Sequence, residues 1–176
     1  MNKALFLDRD GIINYDENGY THNIEEFRFK EEIFNISRYF YNKGYIIIVV
    51  TNQSGIARGF YSEEDFINLS KWMMNEFKIR KVEIKDIFYC PYHKDGIGVY
   101  RKDSFDRKPN PGMLIKAMNK YNISPEESIM IGDKESDIIA AKRSKIATRI
   151  LISEEICMCD YTKKYSNLKE YERALL

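Results

Sequence analysis

Tyr45-Ile46-Ile47-Ile48-Val49-Val50 runs without a polar residue until Thr51. A strand with one wet face alternates apolar and polar side chains. A run apolar on both faces must be covered from both sides, as at the centre of a parallel sheet. It is also far shorter than the roughly 20 residues of a membrane helix. Further strand-like runs are Ala4 to Leu7, Asp86 to Cys90, Ser128 to Ile131 and Ala147 to Ile152.

Helix-period segments lie between them. Glu31 to Lys43 carries Ile33, Phe34, Ile36, Tyr39 and Phe40 on one face and stops at Gly44. Ser62-Glu63-Glu64-Asp65 is a helix start, continued by Phe66, Leu69, Met73 and Phe77, with Trp72 and Met74 as core. Pro111 to Tyr121 and Ser136 to Lys145 are further helices. Ser124-Pro125-Glu126-Glu127 is a second capping pattern, and a short helix is expected over Leu168 to Leu175 in an otherwise weakly patterned tail. The alternation predicts an α/β fold: a Rossmann-like parallel sheet with helices on both faces, as a single domain over 1–176.

Lys plus Arg is 28 against 27 for Asp plus Glu, a net charge of +1. Nucleic acid and anionic lipid both call for a clear basic surplus, so neither is an expected partner. Three cysteines, an odd and small number, point to reduced thiols and a cytoplasmic location. Asp8 breaks the first apolar run too early for a signal peptide. With no evident apolar patch, a monomer is the expectation.

In such sheets the site lies beyond the carboxyl ends of the strands. Asp8-Arg9-Asp10-Gly11 follows the first strand and Thr51-Asn52-Gln53-Ser54-Gly55 the second. Gly132-Asp133-Lys134-Glu135-Ser136-Asp137 follows the fourth, and Lys108 precedes Pro109 ahead of the fourth helix. A single aspartate after a strand is most simply a helix cap. Several converging on one edge repel each other unless a cation sits among them, and an all-oxygen donor set prefers Mg²⁺. A carboxylate held there can attack phosphorus and split one hard step into two. Asp8, fixed by the buried strand, is the better nucleophile. Asp10, two residues on, projects to the same side and serves as general acid and base. Thr51 and neighbouring amides hold phosphoryl oxygens, and Lys108 balances their charge. Asp133 completes the Mg²⁺ site, and Asp137 is better placed as a supporting partner than as a ligand.

Asp8-x-Asp10-Gly11, Thr51-Asn52, Lys108-Pro109 and Gly132-Asp133-x-x-x-Asp137 resemble, in order, the four motifs of the haloacid dehalogenase-like phosphatases. The chain is similar in closer detail to the D-glycero-D-manno-heptose-1,7-bisphosphate 7-phosphatases of that superfamily. That likeness is carried by Phe6 to Asn14, Gly19 to His22, Thr51 to Gly59, Arg107 to Met113 and Gly132 to Lys134. It implies Mg²⁺ held by Asp8, Asp133 and the backbone carbonyl of Asp10, and an aspartyl-phosphate on Asp8. It implies a small sugar bisphosphate as substrate, contacted by Arg9, His22, Asn52, Gln53, Ser54, Arg58, Arg107 and Lys134.

The residues suit such a substrate. The connections Asn14 to Phe29 and Gly55 to Tyr61 are too short for a cap domain, which needs about 40 residues to fold alone. Selection is then left to three loops, Tyr15 to Phe27, Ser54 to Tyr61 and Pro91 to Arg107. Arginines beyond those one phosphate needs are explained by a second anionic group, which a guanidinium matches with its planar fork. Arg101 and Lys102 are equally explained as solvated surface. Asn52 and Gln53 either contact sugar hydroxyls or tie the turn down. Histidinol phosphate or another small monoester is the alternative substrate. A retired member that only binds sugar phosphates is the alternative class.

One family feature is missing. The resemblance calls for a zinc site in the third loop, and its ligand positions read Cys90, Tyr92, Ser104 and Asp106. A closed zinc site needs four Cys or His ligands, so zinc is not expected. Cys157 and Cys159 follow a strand distant from that of Cys90 and are expected, like it, as ordinary thiols. Without zinc the loop Tyr92 to Asp106 should be mobile unless something else anchors it.

Overall fold

The computed structural model describes residues 1–17 and 19–176; Asn18, in the first of the three loops, lies outside the described residues. Strands β1 (Ala4–Leu7), β2 (Ile46–Asn52), β3 (Ile84–Cys90), β4 (Ile129–Gly132), β5 (Thr148–Ile152) and β6 (Lys163–Tyr165) form a sheet in the order β3-β2-β1-β4-β5-β6. Every neighbouring pair is parallel. The helices are α1 (Glu32–Asn42), α2 (Ser54–Ala57), α3 (Glu63–Ile79), α4 (Gly112–Tyr121), α5 (Glu135–Arg143) and α6 (Leu168–Leu175). This is the Rossmann-like α/β architecture that the alternation predicts.

Side chains alternate between two cores. Leu5, Leu7, Ile47, Val49, Ile129 and Ile131 face α1, α3 and α6, where Ile33, Met73, Phe77 and Leu168 cover them. Ala4, Phe6, Ile48, Val50 and Met130 face α4 and α5, against Met113, Leu114, Ala140 and Ala141. The unbroken apolar run of β2 therefore feeds both cores, each buried aliphatic side chain contributing about 1.5–3 kcal/mol. Ser62 caps α3 through a reciprocal pair: its Oγ accepts from the Asp65 amide at 3.0 Å, and Asp65 accepts from the Ser62 amide at 2.8 Å.

Register brings the strand ends together. Leu7 lies opposite Val49 of β2 and Ile131 of β4, so the residues after β1 and β4 emerge side by side next to the end of β2. The chain reaches β2 and β4 on opposite sides of β1, which opens a crevice at this edge.

Three elements differ from the sequence reading. β6, a Lys-Lys-Tyr edge strand, pairs with β5, so β5 is not the sheet edge. Its lysines carry no apolar signal and suit an exposed edge. Ser124 starts no helix: its Oγ donates to Glu126, and a turn leads directly into β4. α2, only four residues long, follows β2 within what reads as loop.

The third loop, expected to be mobile unless something other than zinc anchors it, is tied down by hydrogen bonds. The Ile97 amide donates to the Ala57 carbonyl at 2.7 Å, and Tyr100 donates to Glu63 at 2.6 Å. Tyr89 donates to the other Glu63 oxygen at 2.8 Å, and Asn110 to the Ser104 carbonyl at 3.1 Å. Cys90 is buried with its thiol toward the Tyr92 carbonyl, the Ser104 hydroxyl accepts from the Asp106 amide, and Asp106 pairs with Lys116. Cys157 and Cys159 are not free thiols: two residues apart in sequence, with Cα atoms 5.4 Å from each other, they are joined as a disulfide.

Candidate active site

Asp8 is the first residue beyond β1, and its amide still bonds to the Ile131 carbonyl of β4 at 3.1 Å. The chain then turns sharply, with the Arg9 carbonyl accepting from Ile13 at 2.7 Å. Gly11 takes φ +89° in this turn, and a Cβ there would lie 2.1 Å from an Asp133 oxygen. Only glycine allows both the left-handed backbone and the approach of Asp133.

Lys108, 3% exposed, donates to Asp8 Oδ1 at 2.9 Å and the Val50 carbonyl at 2.8 Å, and forms an ion pair with Asp137 Oδ1 at 2.6 Å. Burial opposes its charge, but Asp137 and Asp8 outweigh burial and push its pKa up. The Asn52 carboxamide grips the backbone of Lys108 from both sides, accepting from its amide and donating to its carbonyl, both at 3.0 Å. Of the two roles open to Asn52, tying the backbone down is the one its polar atoms perform here, although the residue also borders the pocket.

Asp8, Asp133 and Asp137 each offer an oxygen within 4.8 Å of the others. Burial and repulsion from Asp137 and Asp133 push the Asp8 carboxyl up to about 8, against the pull of Lys108. Burial, then Asp137, raises Asp133 to about 6. Asp133 Oδ1 is shielded from solvent and has no hydrogen-bond partner among the described residues. Asp137 differs in that one oxygen is ion-paired with Lys108 at 2.6 Å and the other accepts from the Lys134 amide at 3.1 Å. The donor set therefore fits a divalent cation at Asp8 and Asp133, with Asp137 supporting Lys108.

Asp10 is held on both carboxylate oxygens. Oδ1 accepts from Arg9 Nε at 3.0 Å, Arg9 Nη2 at 2.8 Å and Asn14 at 3.1 Å, and Oδ2 accepts from Gln53 at 3.0 Å. Gln53 also donates to Thr51 Oγ1 at 2.9 Å and accepts from the Tyr61 hydroxyl at 2.6 Å.

Several of the expected substrate contacts have side chains that do not line the pocket. Arg9 is 1% exposed, lies beneath Asp10 between the rings of Phe27 and Phe66, and donates to the Thr21 carbonyl. Its guanidinium is held against Asp10 and does not line the pocket. Gln53 is equally buried and spends its amide on Asp10, Thr51 and Tyr61. His22 stacks on the outer face of Tyr61, centroids 5.4 Å apart, so it backs the pocket wall without lining it.

Arg107, Lys134, Ser54 and Asn52 do line the pocket, a cavity of about 580 Å³ floored by Asp8, Asp10, Lys108 and Asp137. Arg58 stands outside this lining, close enough to Arg107 that its charge, after burial, helps to lower the Arg107 pKa. Asp16, Tyr20, Tyr61 and Ser136 complete the walls and were not singled out in the sequence. Asp16 and Tyr20 fall within the first specificity loop, which was the available signal.

The sequence profile of the haloacid dehalogenase-like hydrolase family matches residues 63–150. The D-glycero-beta-D-manno-heptose-1,7-bisphosphate 7-phosphatase of Pasteurella multocida (strain Pm70) is 42% identical over 167 residues, 95% of this chain and 90% of that protein. This chain belongs to the haloacid dehalogenase-like hydrolases. Another relative, the D-glycero-alpha-D-manno-heptose-1,7-bisphosphate 7-phosphatase of Campylobacter jejuni, is 44% identical over 96% of this chain and 92% of its own length. The crystal structure of D,D-heptose 1,7-bisphosphate phosphatase from B. bronchiseptica, complexed with magnesium and phosphate, superposes with a TM-score of 0.81. It covers 98% of this chain and 97% of that one at 21% identity, a likeness of fold. No helix among the described residues is long and apolar enough to cross a membrane.

Proposed function

We propose that this hydrolase removes the 7-phosphate of D-glycero-D-manno-heptose 1,7-bisphosphate, as a single-domain monomer. The observation that carries the reading is the identity of 42% and 44% to the two heptose-bisphosphate phosphatases over nearly the whole chain. The pocket agrees with it: carboxylates and a lysine at the floor serve one phosphate, and Arg107 and Lys134 on the walls suit a second.

The chemistry falls to Asp8 and Asp10. Lys108 and the Arg9 amide occupy Asp8 Oδ1, so Oδ2 is the oxygen that attacks phosphorus. The Asp8–phosphorus bond forms as the bond to the sugar oxygen breaks, and Asp10 protonates the leaving alkoxide. Water then attacks the aspartyl-phosphate, Asp10 takes its proton, and Asp8 is released with inorganic phosphate. Lys108 stays charged throughout and neutralises the nucleophile and the phosphoryl oxygens. Thr51 Oγ1 accepts from Gln53 and has only a long 3.5 Å contact to spend its hydrogen on, which leaves that hydrogen for a phosphoryl oxygen. Asp8, Asp133 and the Asp10 carbonyl would hold a divalent cation, for which Mg²⁺ suits the all-oxygen set, and it would supply positive charge against the phosphoryl group.

The test is phosphate release with Mg²⁺ from both anomers of heptose 1,7-bisphosphate, followed by phosphorus NMR beside histidinol phosphate. Preferential loss of the 7-phosphate is the expected result, and the faster anomer identifies the natural one. Turnover of histidinol phosphate alone would overturn the substrate, and no turnover of any monoester would make the chain a binding protein.

A further inference from the structure

Asp16 stands in the wall of the catalytic pocket, yet no step of the chemistry uses it. Its position in the loop is set locally: the Tyr15 amide bonds to the Arg28 carbonyl at 3.0 Å, and the Gly19 amide reaches back to the Asp16 carbonyl at 3.4 Å. The side chain is half-buried, and Oδ1 is shielded from solvent with no hydrogen-bond partner among the described residues. Lys134 shares the pocket wall and attracts the Asp16 carboxyl without a hydrogen bond to it among the described residues, and two other nearby cations are engaged elsewhere. Arg9 serves Asp10 and the Thr21 carbonyl, and Lys30 donates to the Gly11 carbonyl at 2.6 Å. Burial and the neighbouring Asp10 charge push the Asp16 carboxyl above its usual range.

A shielded carboxylate oxygen without a donor is costly unless a ligand supplies one. A phosphate group cannot, because it is anionic and offers acceptors. An alcohol can, because its O–H is a neutral donor. A sugar phosphorylated at both ends presents a row of hydroxyls between two anions, and only the hydroxyls suit this wall. Arg107, whose Nη1 also has no partner among the described residues, is left for the second phosphate.

We propose that Asp16 is a specificity-determining residue that accepts hydrogen bonds from substrate hydroxyls beside the scissile phosphate. The inference rests on the reading of the substrate as a hydroxyl-rich phosphate monoester.

The experiment measures kcat/KM of the wild type, Asp16→Ala and Asp16→Asn on three substrates: heptose 1,7-bisphosphate, sorbitol 6-phosphate and p-nitrophenyl phosphate, the last without an alcohol. Asp16→Ala should lose about 10- to 100-fold on the two hydroxylated substrates, as expected for a hydrogen bond to a charged group. It should gain on p-nitrophenyl phosphate, because a charge that repels the dianion is gone. Asn keeps one acceptor oxygen, so Asp16→Asn should fall between. A parallel fall on all three substrates, or no fall on the hydroxylated pair, overturns the inference. A wild type inert on heptose bisphosphate but active on sorbitol 6-phosphate refutes the heptose reading and leaves the Asp16 comparison readable. A wild type confined to p-nitrophenyl phosphate overturns both.

Discussion

Asp137 lies 2.6 Å from the ammonium of Lys108, closer than Asp8 at 2.9 Å, and both Asp137 and Lys108 are out of solvent. The lysine that faces the phosphoryl group is therefore positioned by a carboxylate that takes no part in bond making. Gly132 makes room for this: a Cβ there would lie 2.3 Å from that of Asp137.

Asp137→Ala should accordingly damage activity and stability together. Removing one partner of a buried pair leaves charge uncompensated, which typically costs about 3–5 kcal/mol. Asp8 still pairs with Lys108, so the lower end is expected. Urea unfolding and kcat measured on the same preparation check this, and a variant of wild-type stability would show that Asp8 and Val50 hold Lys108 unaided.

Asp8→Asn should abolish turnover and leave the fold intact. The carboxamide oxygen still accepts from Lys108, and the charge removed is one that its surroundings disfavour. Phosphate release and thermal unfolding report the two properties separately. Wild-type turnover in this variant would sink the assignment of the nucleophile.

How much of this was legible in the sequence depends on the kind of contact. Asp8, Asp10, Lys108 and Asp133 stand beside strand ends or a motif proline, and the parallel sheet brings them together whatever the rest of the chain does. Arg9 and Gln53 read as substrate contacts because residue type and motif do not say which way a side chain points. Here extended geometry and burial turn both toward Asp10. β6 was missed because an edge strand of Lys-Lys-Tyr takes its stability from pairing with β5, and no apolar run marks it. The anchoring of the third loop through Glu63 is a contact between distant segments, invisible to local pattern.

Removing the cation should make stability fall as pH rises. Asp8 and Asp133 have folded pKa values of about 8 and about 6, both above the ordinary 3.8. A carboxyl whose pKa is raised by folding favours the folded state at low pH and loses that contribution as pH climbs through the folded value. In chelated protein these two groups should lower the melting temperature progressively between about pH 4 and pH 8. Added Mg²⁺ should restore more at pH 8 than at pH 5, since at pH 5 it must displace protons. Melting curves at matched ionic strength test this; equal Mg²⁺ stabilisation at the two pH values would contradict it.

Tyr61→Phe removes one hydrogen bond, that from the phenol to Gln53 Oε1, and preserves the ring stacked on His22. Gln53 then loses the contact that fixes its amide against Asp10. A neutral hydrogen bond contributes about 0.5–1.5 kcal/mol, so kcat should fall by roughly 2- to 13-fold. KM should change little, because the contact acts on the proton-transferring group. A rise in KM with unchanged kcat would instead assign the Tyr61 hydroxyl to substrate binding.

Arg107→Ala tests the second phosphate. Arg107 borders the pocket beside Lys108, and its Nη1 has no hydrogen-bond partner among the described residues. Burial pushes its pKa down, with Arg58 adding to the effect, so an anion arriving at this wall meets concentrated positive charge. A small monoester such as p-nitrophenyl phosphate places its only phosphate at Asp8 and leaves Arg107 unused. A bisphosphate places its second phosphate within reach of the guanidinium. A charge-assisted hydrogen bond contributes about 1.5–3 kcal/mol, so kcat/KM on heptose 1,7-bisphosphate should drop roughly 10- to 150-fold, with a much smaller loss on p-nitrophenyl phosphate. Equal losses on both substrates would mean that Arg107 shapes the pocket through its backbone neighbour Lys108 and does not read the second phosphate.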